Sequence, residues 1–208
     1  MSAGDMKTEA YSQIVCAINQ ILAHRSPVLV ALDGGSGSGK STIASMLAQE
    51  LDGVIVPLDD FYAANIPDWE WDARSTSARL RDVFDWGKLR REALAPLLAQ
   101  RTARWYPFDF ASGMRPDGTY AISPHPVERQ PAPVILLEGA YSASPQIADL
   151  IDLKVLLDVP VQERHQRLEK RERDQLFLKR WHALWDDVEA YYFTEVMPKS
   201  AFDIVLPG

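Results

Sequence analysis

The chain has 208 residues, a length that suits one well-buried α/β domain and is short for two. Its apolar fraction of 47% is ordinary for a globular protein, and its net charge of −7 argues against nucleic acid, whose phosphate backbone is bound by basic faces. The single Cys16 permits no internal disulfide, and no apolar stretch has the length of a membrane span, so we expect a cytoplasmic protein without a nucleic-acid or membrane partner.

The first part of the chain is predicted to contain one helix and two buried strands. Apolar residues at helical spacing predict an amphipathic helix over about residues 5–24. An apolar run predicts the first strand at 28–33, and a helix follows to about residue 51. The second buried strand is predicted at 54–58, and residues 63–84 show no clear period, which indicates an ordered surface excursion.

The remainder of the chain alternates further helices and strands. The predicted elements are a helix at 89–98, a hairpin formed by 104–110 and 119–122 around Pro116-Asp117-Gly118, strands at 134–137, 153–159 and 202–206, and helices at 161–174 and 176–196. Strands that alternate with helices imply a three-layer α/β fold, with a mostly parallel sheet, helices on both faces and a small β-hairpin insertion.

The segment 34–41 reads Gly-Gly-Ser-Gly-Ser-Gly-Lys-Ser and matches the P-loop pattern at every fixed position. Glycines let backbone amides surround a polyphosphate, Lys40 is expected to contact the β- and γ-phosphates, and the Ser41 hydroxyl is expected to bind Mg²⁺. A Gly/Ser-rich linker is a poorer explanation, because the segment lies between a predicted strand and a predicted helix. The residues predicted to bind the nucleotide in this segment are Gly34, Gly35, Ser36, Gly37, Ser38, Gly39, Lys40, Ser41 and Thr42.

Acidic residues follow two other predicted strands. Asp59 and Asp60 come directly after the second strand, where a carboxylate can accept a proton from an attacking hydroxyl. The two side chains point in different directions, and the sequence leaves open which is the base, or whether they only cap a turn. Glu138 ends the third strand and is expected to hold Mg²⁺ opposite Ser41.

Basic and aromatic residues supply the remaining candidates. Residues 161–175 mix arginines with acids, which is typical of a solvated helix and also of a mobile lid whose arginines neutralise a transferring phosphoryl group. Seven aromatic residues fall where an acceptor pocket is expected, although core packing explains each one equally well. They are Phe61, Tyr62, Trp69, Trp71, Tyr106, Phe108 and Phe110.

Four motifs in this order resemble the uridine kinase and phosphoribulokinase branch of the P-loop kinases. They are the P-loop, Leu58-Asp59-Asp60-Phe61-Tyr62, Phe108-Asp109-Phe110 and Leu137-Glu138-Gly139. The resemblance runs from about residue 28 to 206. It implies one P-loop kinase domain over residues 1–208, with an acceptor-site excursion at about 60–127 and a lid at about 161–175.

The resemblance also implies roles for individual residues. It makes Asp59 the catalytic base beside Lys40, Glu138 a magnesium-site residue, and Arg171 and Arg173 the lid arginines, of which Arg171 contacts ATP and Arg173 is catalytic. Its implied substrate-binding residues are Tyr62, Arg79, Phe108, Asp109 and Arg115.

The sequence departs from the family pattern where uridine kinases bind the pyrimidine. The family reads Tyr-Asp-Phe-x-x-His-x-Arg there, whereas Phe108 and Gly113 replace the Tyr and the His. Arg79 falls where a carboxylate that binds the ribose diol is expected. We therefore expect uridine and cytidine to be poor acceptors.

These observations together favour ATP- and Mg²⁺-dependent phosphoryl transfer to a hydroxyl of a small molecule, with a nucleoside as the first choice. One alternative is a kinase of a sugar or vitamin precursor, and Arg79 with Arg81 would suit an anionic acceptor. Another is a binding protein that transfers nothing, against which Asp59 beside Glu138 argues. Assembly into a homo-oligomer is left open.

Overall fold

A computed structural model describes residues 3–207, with side chains described for residue 9 and from residue 11 onward. Its strands are β1 (Val28–Asp33), β2 (Gly53–Pro57), β3 (Ala103–Trp105), β4 (Phe108–Met114), β5 (Tyr120–Ile122), β6 (Val127–Arg129), β7 (Val134–Glu138), β8 (Leu153–Asp158) and β9 (Ile204–Pro207).

Its α-helices are α1 (Ala3–Leu22), α2 (Lys40–Glu50), α3 (Asp68–Ala73), α4 (Thr76–Asp82), α5 (Trp86–Lys88), α6 (Ala95–Leu98), α7 (Val161–Arg171) and α8 (Gln175–Tyr191). A π-helical segment, Leu89–Leu94, joins α5 to α6, and a second one, Tyr192–Val196, continues α8. Within the described part of the chain, no helix combines the length and apolar character that crossing a membrane requires.

The central sheet has five strands in the order β2-β7-β1-β8-β9, and every pairing is parallel. Because successive side chains of a strand point to opposite faces, β1 divides its apolar residues between two cores. Val28, Val30 and Leu32 pack with α1 and α2 on one face, whereas Leu29 and Ala31 pack on the other with the 86–98 helix and α8. The predicted three-layer α/β fold is confirmed.

Parallel strands put their carboxyl ends at one edge of the sheet, and this edge positions the candidate site. The P-loop follows β1, the Asp59–Asp60 pair follows β2, and Glu138 is the last residue of β7. Since β7 lies between β1 and β2, Glu138 stands between the other two.

Three segments differ from their predicted form. Residues 63–84 contain two short helices, α3 and α4, where we predicted an excursion without assigned elements. The hairpin strand begins at Phe108 and pairs β4 with β5, while Ala103–Trp105 pairs separately with Val127–Arg129. Helix α7 ends at Arg171, earlier than predicted, because Asp174 caps the start of α8 by accepting hydrogen bonds from the backbone amides of Leu176 and Phe177.

Candidate functional site

A cleft of about 820 Å³ opens at the carboxyl edge of the sheet. The P-loop and the start of α2 form one wall, and the β4–β5 hairpin forms another. The end of α7 and the first turns of α8 close the third side. The cleft is therefore lined by the three segments that were predicted to bind the phosphates, to bind the acceptor and to form the lid.

The P-loop holds a conformation that its glycines make accessible. Gly39 has φ of +97°, and a Cβ added there would meet no atom within 4 Å, so the backbone at this point faces open cleft. Gly35 is needed for another reason, since a Cβ there would lie 2.3 Å from Nη1 of Arg164. Ser38 Oγ is buried and has no hydrogen-bond partner among the described residues.

Lys40 lies inside the loop. Its Nζ donates hydrogen bonds to the carbonyl oxygens of Gly34 at 2.8 Å and Gly35 at 3.1 Å. Burial lowers the pKa of Lys40, and the charges of Asp33, Asp59 and Glu138 oppose that change. The ammonium group is thus positioned by main-chain carbonyls and surrounded by carboxylates.

Asp33, at the end of β1, holds the base of the loop from beneath. Its carboxylate accepts hydrogen bonds from the backbone amides of Gly34, Tyr141 and Ala143 and from the hydroxyl of Tyr192, at 2.6–2.9 Å. Burial raises the pKa of Asp33, against the effect of these donors. Asp33 was predicted only as the last residue of a strand, although an acid that ends an apolar strand is a usable signal for such a role.

A buried ion pair holds the other side of the loop. Nη1 of Arg164 donates to Glu189 Oε2 at 2.7 Å and to the carbonyl oxygen of Ser36 at 3.0 Å, and Glu189 Oε1 accepts from the backbone amide of Ser36 at 2.8 Å. Arg167 donates to the carbonyl oxygens of Gly37 and Ser38. Arg164 and Arg167 belong to the predicted lid segment 161–175, whereas Glu189 was not predicted as a site residue because no local pattern singles it out.

The structure separates Asp59 from Asp60. Asp59 lines the cleft, whereas Asp60 accepts a hydrogen bond from Trp105 Nε1 at 2.8 Å and does not line the cleft. Desolvation by the surrounding protein raises the pKa of Asp59 to about 6; Lys40 acts against this rise, and Glu138 adds to it. A carboxyl with this pKa is ionised at neutral pH and remains basic enough to accept a proton.

Ser41 and Glu138 meet across the cleft floor. Ser41 Oγ lies 3.2 and 3.3 Å from the two carboxylate oxygens of Glu138 and donates to them. A hydroxyl and a carboxylate this close together offer hard oxygen ligands, which Mg²⁺ prefers. The structure therefore brings together the two residues that were predicted to hold the metal.

Only part of the predicted lid end reaches the cleft. Arg171 lines the cleft, and its charge acts to lower the pKa of Asp59. Arg173 is exposed and is not among the lining residues. The structure thus brings Arg171 to the site and leaves Arg173 outside it.

Aromatic side chains form the acceptor side of the cleft, with Tyr62 at their centre. The Tyr62 ring lies 5.7 Å from the rings of Phe108 and Phe110 and 6.3 Å from that of Trp181, measured between centroids. Burial, followed by the charges of Asp59 and Glu189, raises the pKa of Tyr62 well above its usual value, so the phenol stays neutral. Trp181 belongs to α8, so this helix contributes one ring to the group.

Three predicted substrate residues do not line the cleft. Nε, Nη1 and Nη2 of Arg79 donate to the carbonyl oxygens of Trp71, Leu184 and Asp72 respectively. The prediction that Arg79 faces the acceptor is wrong, because its guanidinium donates to these three carbonyl oxygens and so joins α3, α4 and α8.

Asp109 and Arg115 also lie outside the cleft lining. Asp109 accepts three hydrogen bonds from Ala111 and Ser112, and Arg115 is exposed near the hairpin turn. The remaining two, Tyr62 and Phe108, line the cleft.

The chain is similar to known kinases in sequence and in fold. A family model described as zeta toxin matches residues 14–97. A uridine kinase from Borrelia duttonii is 27% identical over 188 residues, which cover 86% of this chain and 85% of that protein. The solved structure of a candidate uridine kinase from Bacillus stearothermophilus gives a TM-score of 0.64 at 19% identity, over 97% of this chain and 100% of that one.

A candidate fructose transport system kinase from Silicibacter sp. TM1040 gives the same TM-score of 0.64 at 23% identity, over 95% of this chain and 98% of that one. Likeness at this level of identity establishes the fold. The predicted resemblance to the uridine kinase branch is confirmed, and the chain has the three-layer fold of the P-loop kinases.

Proposed function

We propose that the protein transfers the γ-phosphoryl group of ATP to a hydroxyl of a small-molecule acceptor, with a nucleoside as the acceptor class. One observation carries this proposal: the Asp59 carboxyl lies in the same cleft as Lys40 and the aromatic group around Tyr62, while Asp60 is turned away. The kinase relatives support the same reaction type.

The P-loop fits a polyphosphate. The Gly39 backbone faces open cleft, and the Lys40 ammonium lies among carboxylates. The buried Ser38 Oγ has no hydrogen-bond partner within residues 3–207. The proposed nucleotide-binding residues are those of the 34–42 segment, joined by Arg171. Ser41 and Glu138 are the residues that would hold Mg²⁺, which when bound would supply positive charge beside the phosphates.

In the proposed reaction, Asp59 accepts the proton of the acceptor hydroxyl. The acceptor oxygen forms a bond to the γ-phosphorus as the bond between that phosphorus and the departing ADP oxygen breaks. The cations that line the cleft are Lys40, Arg167 and Arg171. Arg167 is held by P-loop carbonyl oxygens, so we assign Lys40 and Arg171 to the charge that develops on the phosphates. Arg173 would join them only by moving with the lid.

The aromatic group supports an acceptor with a flat ring. The rings of Tyr62, Phe108 and Phe110 offer stacking surfaces, and Arg79 no longer supplies a cation that would select an anionic acceptor. We propose one cytoplasmic kinase domain in which the 60–127 excursion and α8 bind the acceptor and α7 serves as the lid.

Measurement of ADP formation across nucleosides, sugars and vitamin precursors tests this proposal. We expect acceptor-stimulated ADP release that requires Mg²⁺ and is greatest with a nucleoside other than uridine or cytidine. Because Phe108 and Gly113 lack the family's hydrogen-bonding groups, we expect kcat/KM for uridine below about 10⁴ M⁻¹s⁻¹, the lower end of ordinary efficiency. ADP release that no acceptor stimulates would instead favour a nucleotide-dependent binding protein.

A further inference from the structure

Three metal-ligating side chains meet outside the cleft, where α7 packs against α8. His165 comes from α7, and His182 and Asp186 come from α8 at a spacing of one helical turn. The two imidazole rings lie 3.9 Å apart between centroids. One ligand atom from each of the three residues falls within 4.8 Å of the others. The three residues do not line the 820 Å³ cleft, and the proposed kinase reaction does not use them.

The polar atoms of this cluster are not all paired. Oδ1 of Asp186 lies 3.1 Å from Nδ1 of His182 and 3.4 Å from Nε2 of His165, so one carboxylate oxygen faces two imidazoles. Nε2 of His165 and Nε2 of His182 are buried and lack a hydrogen-bond partner in the part of the chain that the structure describes. Buried polar atoms are rarely left without a partner, because each one destabilises the fold.

We propose that His165, His182 and Asp186 bind a divalent transition-metal ion of the zinc type, with water as the fourth ligand. Two imidazole nitrogens and one carboxylate oxygen are a ligand set that Zn²⁺ accepts, whereas Ca²⁺ and Mg²⁺ require more oxygen ligands. An ion bound by one nitrogen of each imidazole would give this cluster a partner for nitrogens that make no hydrogen bond among the described residues, and its charge would balance Asp186.

The geometry is close to what such an ion requires. Zinc–nitrogen bonds of about 2.0–2.1 Å put the ligand atoms of a tetrahedral ion about 3.4 Å apart. The spread of up to 4.8 Å in the cluster must shrink by about 1–2 Å. Rotation of the two imidazoles and the carboxylate about their side-chain torsions supplies a movement of that size.

A metal at this point would tie the lid helix to α8. The same helix, α7, carries Arg164 and Arg167, which donate to P-loop carbonyls, and Arg171, which lines the cleft. An ion bound by His165 on α7 and by two residues of α8 would therefore restrain the helix that holds one side of the phosphate loop. This inference does not depend on the proposed kinase reaction.

Calorimetric titration of the full chain with ZnCl₂, after removal of metals by a chelator and with Mg²⁺ in excess, tests the proposal. We expect one zinc ion per chain. His182→Gln should weaken its binding by about 100-fold or more, since changes even to groups behind the ligands weaken metal binding by about 10–100-fold. The matched control is the double variant His24→Gln/His125→Gln, which removes two exposed histidines outside the cluster and should bind zinc like the parent.

A second readout separates a bridging ion from simple surface binding. Zinc should slow backbone hydrogen exchange in α7 of the parent and should not do so in His182→Gln. Asp186→Asn keeps the size of the side chain and removes its charge, so it serves if His182→Gln does not fold. Unchanged zinc binding in both cluster variants, or loss of binding in the His24/His125 control, would overturn the proposal.

Discussion

The two halves of the cleft are built by different means. On the phosphate side, Lys40 and Arg164 donate hydrogen bonds to loop carbonyls, and Asp33 and Glu189 accept hydrogen bonds from loop amides, which fixes the backbone of the loop. The acceptor side consists mainly of aromatic rings in contact with one another, and some of these are open to solvent, such as Phe110, which is 57% exposed.

This difference separates the reaction from its specificity. Hydrogen bonds that fix main-chain groups determine where a phosphate is held, and they leave little freedom for change. Stacked rings tolerate changes of shape and of partner, because every flat ligand offers a π-face. Changes on the phosphate side should therefore stop the reaction, whereas changes on the acceptor side should alter which molecule is used.

The largest expected effect comes from Lys40→Ala, which should abolish phosphoryl transfer. Loss of one preorganised charge contact slows catalysis by about 10²–10³-fold, and the loss of its hold on Gly34 and Gly35 adds to this. Thermal unfolding of the variant and the parent is measured beside activity, so that loss of the reaction is separated from loss of the fold. Lys179→Ala, at an exposed position on α8, is the control. Full activity of a folded Lys40→Ala variant would contradict the kinase proposal.

Asp59→Asn should lower kcat by about 10²–10⁴-fold, the range for loss of a general base. ATP binding should change little, since the loop contacts remain. Asp60→Asn is the matched control, because an Asn oxygen can still accept the hydrogen bond of Trp105. Single-turnover rates of the two variants compare the chemical step directly. A large loss in Asp60→Asn and a small one in Asp59→Asn would show that the assignment of the base is wrong.

The pKa of Asp59, raised to about 6, predicts an acidic limb in the pH profile. The base must be ionised, so kcat/KM should fall as the pH drops through about 6, by about tenfold per pH unit below it. The remaining activity of Asp59→Asn should lack this limb. Steady-state kinetics between pH 5 and 8 measure both profiles, and an identical limb in the variant would assign the titration to another group.

Phe110→Ala should raise KM for the acceptor by about tenfold, because stacking on an aromatic ring contributes about 1–3 kcal/mol per base. This is the smallest of the expected effects. KM for ATP should stay within about twofold, because the substitution leaves the contacts of the P-loop intact. Tyr106→Ala removes an exposed ring that does not line the cleft and serves as the control. Equal effects of Phe110→Ala on both substrates would show that the two halves are not separate.

The sequence predicted those parts of the site that depend on neighbouring residues. The P-loop, the parallel strands and the positions of Asp59 and Glu138 at strand ends follow from short motifs and from apolar runs. The direction of Asp60 depends on Trp105, 45 residues away, and the clamp made by Arg79 depends on Leu184, 105 residues away. Such contacts exist only after folding. The resemblance to the family therefore put Arg79 in the acceptor site, and no sequence pattern pointed to Glu189.

The contacts that shape the phosphate loop have a consequence for the order of events during synthesis. Ser36 is held by Glu189, 153 residues later, and Asp33 by Tyr192, 159 residues later. Because a chain emerges from the ribosome N-terminus first, the motif is made long before the residues that brace it. A nascent or truncated chain that ends before α8 would carry the complete motif without its supports. Nucleotide affinity should thus appear only after α8 and Tyr192 have been made, which makes nucleotide binding a reporter of a folded α8.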